Sequence, residues 1–597
     1  MFLPSLNEID TSRSGVEIFK GYNHNLRINN GEFYDMKNLT SDYYPTLSPR
    51  GKRGSLGVSA KAVIAKDNLC WVDGKNFYIN GSPVEMDREL QAEQLISMGG
   101  YVIIMPDKVW VNTLPNAGDS TWGYIENEVT TTETVGFSMS KIDGTDIGEN
   151  VHSGNTAPEN PQNMTYWVDT SSDTHSLKQW NTSTEMWTTI ATTYIKITSP
   201  GISSGFKKYD GVTISGLKDS LNPDLQKIDG SFVLWDVKDP EKTGSDYIVI
   251  VGMLDANCTT EKPVTVSRKM PEMEYIIESG NRLWGCHYGL NDKNEVVNEI
   301  YASKLGDFKN WNSFLGAATD SYAVSCGTDG AWTGAINHLG HPLFFKEGCL
   351  HKIFGNYPAN YQVQTTSCRG VEKGSHKSLV IVNEVLYYKS RNGVCAYDGS
   401  LPQEISYCLG NKRYIDAVAG SHNNKYYISM KDIQTEEYVL MVYDTNFGKW
   451  YKEDNTKVKD FCSCKYSITA EESIDELFFV DENNNLRTMF GGGTVDIEPV
   501  EWMAETGALG TDMPDKKYIS RLTVRMTLTI GARVSFFAQY DSNGSWEHLG
   551  TMTGRTLKSF SVPIRPKRCD HLRLRIVGKG DAKIFSIVKT IEQGSDY

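Results

Sequence analysis

The 597-residue chain has no run of about 18 apolar residues, which excludes a helical membrane span. Its first residues, MFLPSLNEIDTSRSG, lack both a basic n-region and an apolar h-region, so no Sec-type export is expected. GxSxG, HExxH and EF-hand loops are missing. FGGGTVD, with Gly491 to Gly493, has no following Lys-Ser/Thr and is no phosphate loop; it reads as a hinge. Long amphipathic helical stretches are lacking too; MDRELQAEQLISM is the best candidate, readable as one short helix or as a loop. Positive charge is in deficit: 60 Lys+Arg stand against 74 Asp+Glu, a net −14. Such a surface does not grip nucleic acid generally, and it suits a wall that DNA slides past. The 11 cysteines are odd in number and lack disulfide-framework spacing. Cys70, Cys286 and Cys395 lie in apolar strands, where free Cys acts as a small hydrophobe, and a reducing compartment is expected.

What is present is β-rich. There are 31 Tyr, 13 Trp and 53 Gly against only 20 Pro, a composition of strands and tight turns. VLYYKSRNGVCAYDG (Val385 to Gly399) is the clearest copy of a strand–polar turn–strand unit. ELFFVDENNNLRTMFGG, HPLFFKEGCLHKIFG, NLCWVDGKNFYING and YVIIMPDKVWVN read the same way. Copies recur every ~40–60 residues through the later half, the period of radial β-repeats. Trp311, Trp332 and Trp450 each follow a Gly- or Asn-containing turn, a place from which an indole packs one sheet on the next.

The expected fold is all-β: a β-propeller of six to eight blades, an inserted small β-domain and a C-terminal β-sandwich of jelly-roll type. Residues 1–60 read as an N-terminal arm and first strand, 61–117 as the first part of the propeller and 118–230 as the insertion. Residues 231–496 continue the propeller and 497–597 form the sandwich. In the insertion, short strands are expected near Tyr166–Val168, Leu177–Trp180 and Trp187–Ile190. In HLRLRIVG, Leu572, Leu574 and Ile576 point one way, with Arg573 and Arg575 opposite, as in a half-exposed strand. N-terminal strands must close the propeller against late ones.

Chemistry is sparse. His338 and His341 have HxxH spacing, but Gly340 and Pro342 exclude the helix a zinc pair prefers, and hydrogen bonding between blades is the expected role. Cys462 and Cys464 read as two residues on one strand face. No catalytic, cofactor-binding or metal residue is assigned, no cofactor is expected, and the chain is read as not an enzyme. The interaction candidates are Arg50, Lys52 and Arg53 on the arm, and Arg565, Lys567 and Arg568 on the C-terminal face. From Arg565 to Lys589, eight Lys/Arg face only Asp570 and Asp581, which suits an acidic neighbour.

Three runs carry a family likeness: GEFYDMKNLTSDYYPTLSPRGKRG, IYASKLGDFKNWNSF…TDSYAVSCGTDGAWTGAI, and HPLFFKEGCLHKIFG…CRGVEKGSHKSLVIVNEVLYYKSRNGVCAYDG. SVPIRPKRCDHLRLRIVGKGDAKIFSI adds to it. The chain resembles tail hub, nozzle or packaged-DNA-stabilisation proteins of tailed bacteriophages. The likeness implies a structural virion protein, assembled in the host cytoplasm and located in the tail. It would form a homo-oligomeric ring, a hexamer, around the DNA exit channel. It would retain packaged DNA, join the portal or adaptor to distal parts and offer sites for tail fibres, with DNA passing the lumen unbound. The insertion points toward the larger nozzle proteins. The alternative is a receptor-binding or glycan-cleaving tail protein on a propeller scaffold. An intracellular peptide-binding propeller ranks last, because WD dipeptides and kelch di-glycines are missing.

Overall fold

The computed structural model describes residues 11–116, 119–147, 151–162, 165–238, 244–290, 294–467, 473–511, 516–554 and 556–593. Among the described residues it is almost wholly β, with one α-helix, Pro223–Ile228. The stretch MDRELQAEQLISM is not helical; its last five residues are the strand Gln94–Met98, which pairs with Tyr101–Met105.

The strand–turn–strand units become antiparallel meanders of four strands. They span residues 62–85, 94–124, 275–325, 334–367, 380–404 and 414–452, and a seventh is built on 458–488. Their turns explain the Asn- and Gly-rich punctuation. Asn383 and Glu384 have φ of 48° and 67°, and Asn423 and Asn424 have 46° and 61°. Two successive positive φ values make the hairpin turn whose twist matches the flanking strands. Leading strands pack side by side: Ala62–Lys66 on Gln94–Met98, that on Tyr275–Ser279, and that on Gly334–His338. The short turn His376–Ser378 bridges Gly334–His338 to Tyr414–His422, which packs on Val458–Ser467, and this strand returns to Ala62–Lys66. The sheets thus follow one another in a closed circle, a β-propeller.

Indoles join neighbouring sheets. Trp332 and Trp450 are each 2 % exposed. Trp332 Nε1 donates to the His287 carbonyl at 3.2 Å and Trp450 Nε1 to the Ile405 carbonyl at 2.8 Å, each on a preceding sheet. Of the HxxH pair, His338 bonds between sheets as expected, while His341 bonds within its own sheet. His338 Nε2 lies 2.7 Å from the Glu384 carbonyl of the next sheet, and His341 Nδ1 lies 3.1 Å from the Ile353 carbonyl.

Residues 11–60 are not an arm, which corrects the reading of the 1–60 segment; residues 1–10 lie outside the described residues. Thr11–Val16 pairs with Ala582–Gln593, and Glu32–Lys37 pairs with Glu501–Thr506. Both strands enter the sandwich. Its first sheet runs Thr11–Val16, Ala582–Gln593, Lys517–Leu528, Lys558–Val562. Its second runs Gly21–Tyr22, Glu32–Lys37, Glu501–Thr506, Leu572–Lys579, Arg533–Tyr540, Glu547–Met552. Leu522, Val524, Met526, Val534, Phe536, Leu574, Ile576 and Ile584 fill the space between them. Further on, Gly54–Ser59 pairs with Asn485–Thr488 as the fourth strand of the last meander. The propeller therefore closes with a strand from the start of the chain.

The Gly491–Gly493 segment is clasped rather than hinged. Buried Glu476 accepts from Phe490 N at 2.9 Å and Gly492 N at 3.1 Å, and Thr488 Oγ1 donates to the Gly492 carbonyl. Only glycine fits at position 54, where a Cβ would stand 2.2 Å from the Gly492 oxygen.

The insertion is longer than 118–230. Trp122–Tyr124 still belongs to the second meander, and the excursion opens at Asn127–Thr130. It closes where that strand pairs with Thr265–Arg268. Residues 231–268 thus belong to the insertion, not to the propeller. Their apolar runs, such as Tyr247–Val251, feed a separate core with Phe137, Ile195, Ile197 and Val212. The strands expected near 166, 177 and 187 are present as Tyr166–Asp169, Ser176–Asn181 and Met186–Thr189.

Candidate functional site

The leading strands of several sheets converge on a small opening of about 190 Å³, lined by Val63, Glu93, Gln94, Tyr275, His376, Lys377 and Asp460 among others. No single sheet could build it. Gln94 ties two sheets: its Nε2 donates to the Glu274 carbonyl at 2.7 Å and its Oε1 accepts from Ile276 N at 3.1 Å. Asp460 is held by Val63 N at 3.2 Å and Phe461 N at 3.1 Å, with Lys377 Nζ 3.5 Å away. His376 packs 5.2 Å from the Tyr275 ring. Burial, helped by Lys377, lowers His376 to about 4, so its ring is neutral at pH 7. Burial raises the Tyr275 phenol to about 12. The opening thus offers a neutral imidazole, a neutral phenol, a fixed Lys–Asp pair and the exposed Glu93 carboxylate. These groups can hold a small polar molecule by hydrogen bonds.

A larger polar cleft of about 700 Å³ lies where the propeller meets the sandwich, lined by Asp35, Lys37, Arg50, Arg53, Asp454 and Arg487 among others. Here the structure gathers the N-terminal candidates. Arg53 is 5 % exposed. It meets Glu453 at 2.8 Å and Asp454 at 2.9 Å, while Arg50 meets Asp454 at 3.3 Å. Burial pulls the Arg53 guanidinium down, but Asp454 and Glu453 outweigh it and hold it above its ordinary value. Burial pushes the Asp454 carboxyl up, yet Arg53, Thr456 and Arg50 bring it below the usual range. Lys52 Nζ donates to the Ile497 carbonyl at 2.7 Å. All three residues thus bond within the chain. Arg50 and Arg53 bind an early segment to a late one, and Arg53 has little surface left for a partner.

The C-terminal candidates sit together on the loop between Lys558–Val562 and Leu572–Lys579, and all three are exposed. Lys567 pairs with Glu547, and its Nζ lies 5.3 Å from the Tyr540 ring centre. The Tyr540 hydroxyl donates to the Arg565 carbonyl at 3.3 Å. Arg568 is likewise engaged. None of the three lines the cleft that Arg50 and Arg53 line.

Sequence reasoning missed a third cluster, in the insertion. His175 Nδ1 lies 2.6 Å from Asp255 Oδ1, beside a cleft of about 370 Å³ that Asp224, Phe232 and Met253 also line. His175 and Asp255 are 80 residues apart, and no spacing motif could have joined them. Among the described residues no group of three or more His, Cys, Asp or Glu side chains is placed to hold a metal ion. Cys462 is buried on its strand and Cys464 partly so.

No protein-family model matches the chain, and no curated protein matches it. Solved structures do. An exo-β-1,3-galactanase from Phanerochaete chrysosporium matches at 8 % identity over 53 % of this chain and 94 % of its own, with a TM-score of 0.20. A glycoside hydrolase matches at 11 % over 52 % and 96 %, with a TM-score of 0.19. An acylaminoacyl peptidase matches at 11 % over 55 % of both chains, with a TM-score of 0.22. These hydrolase matches correct the expectation that the chain is not an enzyme, and that expectation is withdrawn. TM-scores this low carry no argument for an activity in this chain, so none takes its place.

Proposed function

We propose that the chain is a structural subunit of a bacteriophage tail, of the hub or nozzle kind, assembled as a ring around the DNA exit channel. The observation that supports this reading most is the interlacing of its two main units. Strands from residues 11–37 complete the sandwich, Gly54–Ser59 completes the propeller, and Arg50 and Arg53 fasten the short connection between them. A part that seals DNA under pressure must resist relative movement of its units, and continuous sheet pairing with buried ion pairs supplies that stiffness. In this reading the ring joins the portal or adaptor above to distal parts below, and the acidic surface lets DNA pass. The test is a cryo-EM map of tails from virions, with the chain located by side-chain fit. A ring around the channel is the expected result. A monomer on the periphery of the tail overturns the reading.

One observation favours the alternative, a tail protein that binds or cleaves a host-surface glycan. On the insertion, Trp180 and Trp187 are cross-strand partners with ring centres 5.3 Å apart, and Trp167 lies 5.5 Å from Trp187. Indoles flanked by hydroxyl side chains can stack on sugar rings. Release of reducing ends from host wall polysaccharide, lost on substitution of Glu93 or Asp255, would favour this reading over the ring.

A further inference from the structure

Charge is divided sharply along the chain. From Glu501 to Tyr597 there are 15 Lys/Arg and 10 Asp/Glu, a net +5; with −14 for the whole, residues 1–500 carry −19. Two of these cations, with Arg13 from the start of the chain, share one face of the first sandwich sheet. Leu522, Val524, Met526 and Leu528 turn into the core, so the alternate residues of Lys517–Leu528 turn outward, with Arg521 and Arg525 exposed. Pairing places Arg13, Thr590 and Arg521 in one row across three strands. The next row is Gly15, Val588, Thr523 and Ser561, and beyond it lie Ser586, Arg525 and Ser559.

Three guanidinium groups therefore stand over a floor of short side chains, Ser, Thr, Gly and one Val. Arg521 and Arg525 are about 13 Å apart along the strand, and Arg13 lies two strand widths, about 10 Å, from Arg521. All three are exposed, and none makes an ion pair among the described residues. The acid of this sheet, Glu592, is bonded to Tyr518 and Ser520 at one end. Bare cations on a short-chained floor accept carboxylates without steric obstruction, and Arg takes them two-pronged.

We propose that this face docks on the acidic propeller-and-insertion surface of a second copy of the chain. Charge complementarity carries the choice: the same chain supplies +5 at one end and −19 over the rest. Such a contact joins unlike surfaces, and unlike-surface contacts build rings when the rotation closes. The proposal rests on the ring reading above and names the surface that would make it. A nucleic acid fits less well, because the net charge of −14 repels it at long range.

The test is the mass of the purified full chain by sedimentation velocity at about 50 mM and about 500 mM NaCl, where screening differs strongly. The expected result is an assembly at low salt that dissociates at high salt. The triple variant Arg13→Glu, Arg521→Glu, Arg525→Glu is expected to stay monomeric at both, with its melting curve unchanged. The milder Arg521→Gln, Arg525→Gln pair should weaken assembly at least tenfold, and it guards against misfolding of the first variant. Assembly that persists in both variants overturns the proposal, as does a wild-type monomer at low salt. Duplex DNA binding that is lost in the variants without any change of mass also overturns it. A virion ring with this face turned to solvent overturns the docking while leaving the ring reading in place.

Discussion

The propeller is antiparallel β, and so is the sandwich apart from the short strand Gly21–Tyr22, which runs parallel to Glu32–Lys37, yet the two are built on opposite plans. Six propeller meanders take all four strands from one short stretch of chain. The sandwich places Thr11–Val16 beside Ala582–Gln593, the two ends of the described chain. The two central strands of its first sheet are 12 residues long, while most propeller strands run 4–9. One unit rests on local hairpins that can form early, the other on pairings with large loop-closure cost. Arg50 and Arg53 sit where the two plans meet, so the junction is the place to separate them.

The largest expected effect comes from Arg53→Ala. It leaves Glu453 and Asp454 facing each other with half their countercharge gone, and removing one partner of a buried pair costs about 3–5 kcal/mol. Urea unfolding followed by Trp fluorescence should show a lower midpoint. A loss below about 1 kcal/mol, the worth of a surface pair, would mean that the junction is not a fastening.

Acid should weaken the propeller next. His351 is buried between the hydroxyls of Thr328 and Thr365, and burial, with Lys346, lowers it to about 4. Between pH 6.5 and 4 the unfolded chain binds a proton that the folded chain does not. Stability therefore falls as pH drops through that window, by up to roughly 3 kcal/mol for one such residue. The melting temperature should drop on acidification, and His351→Gln should flatten the slope. An unchanged slope would put the acid sensitivity elsewhere.

Two glycine substitutions compare the units directly, each expected to cost about 1–3 kcal/mol by overpacking. In Gly578→Ala the new methyl would meet the Trp502 ring at 2.0 Å, inside the sandwich. In Gly54→Ala it would meet a backbone oxygen at the propeller closure. Limited proteolysis should then cut near residues 50–60 in the second variant and not in the first. The smallest effect expected is from Trp332→Phe, which leaves the His287 carbonyl without its indole donor and should cost about 1 kcal/mol in urea midpoint shift.

This contrast also explains what could be read from the sequence. Meander turns such as Asn383-Glu384 and alternations such as Leu572, Leu574, Ile576 are local, so they write themselves into a short window. Thr11–Val16 reads TSRSGV, with just Ser14 and Val16 facing the core, and its partner lies more than 570 residues away. No window could reveal it as a strand. The extent of the insertion was hidden for a related reason: Tyr247–Val251 has the same apolar pattern as a propeller strand, and its pairing with Tyr194–Thr198 decides where it belongs. At the candidate sites, the basic cluster Arg50, Lys52, Arg53 was visible. Its purpose was not, because Glu453 and Asp454 lie some 400 residues further on. The small opening beside Gln94 and His376 draws single residues from several sheets, and His175–Asp255 spans 80 residues; neither leaves a motif.

Closure by Gly54–Ser59 sets a timetable for the ribosome. The strand emerges about 430 residues before its partner Asn485–Thr488 is made. At 5–20 residues per second that is roughly 20–90 s, during which an unmatched edge waits in a crowded cell. A polysome carries many such edges at once, all of the same sequence. Exchange of this strand between nascent chains is therefore the error this protein has to avoid, and the brevity of the strand, six residues, leaves little for a wrong partner to hold.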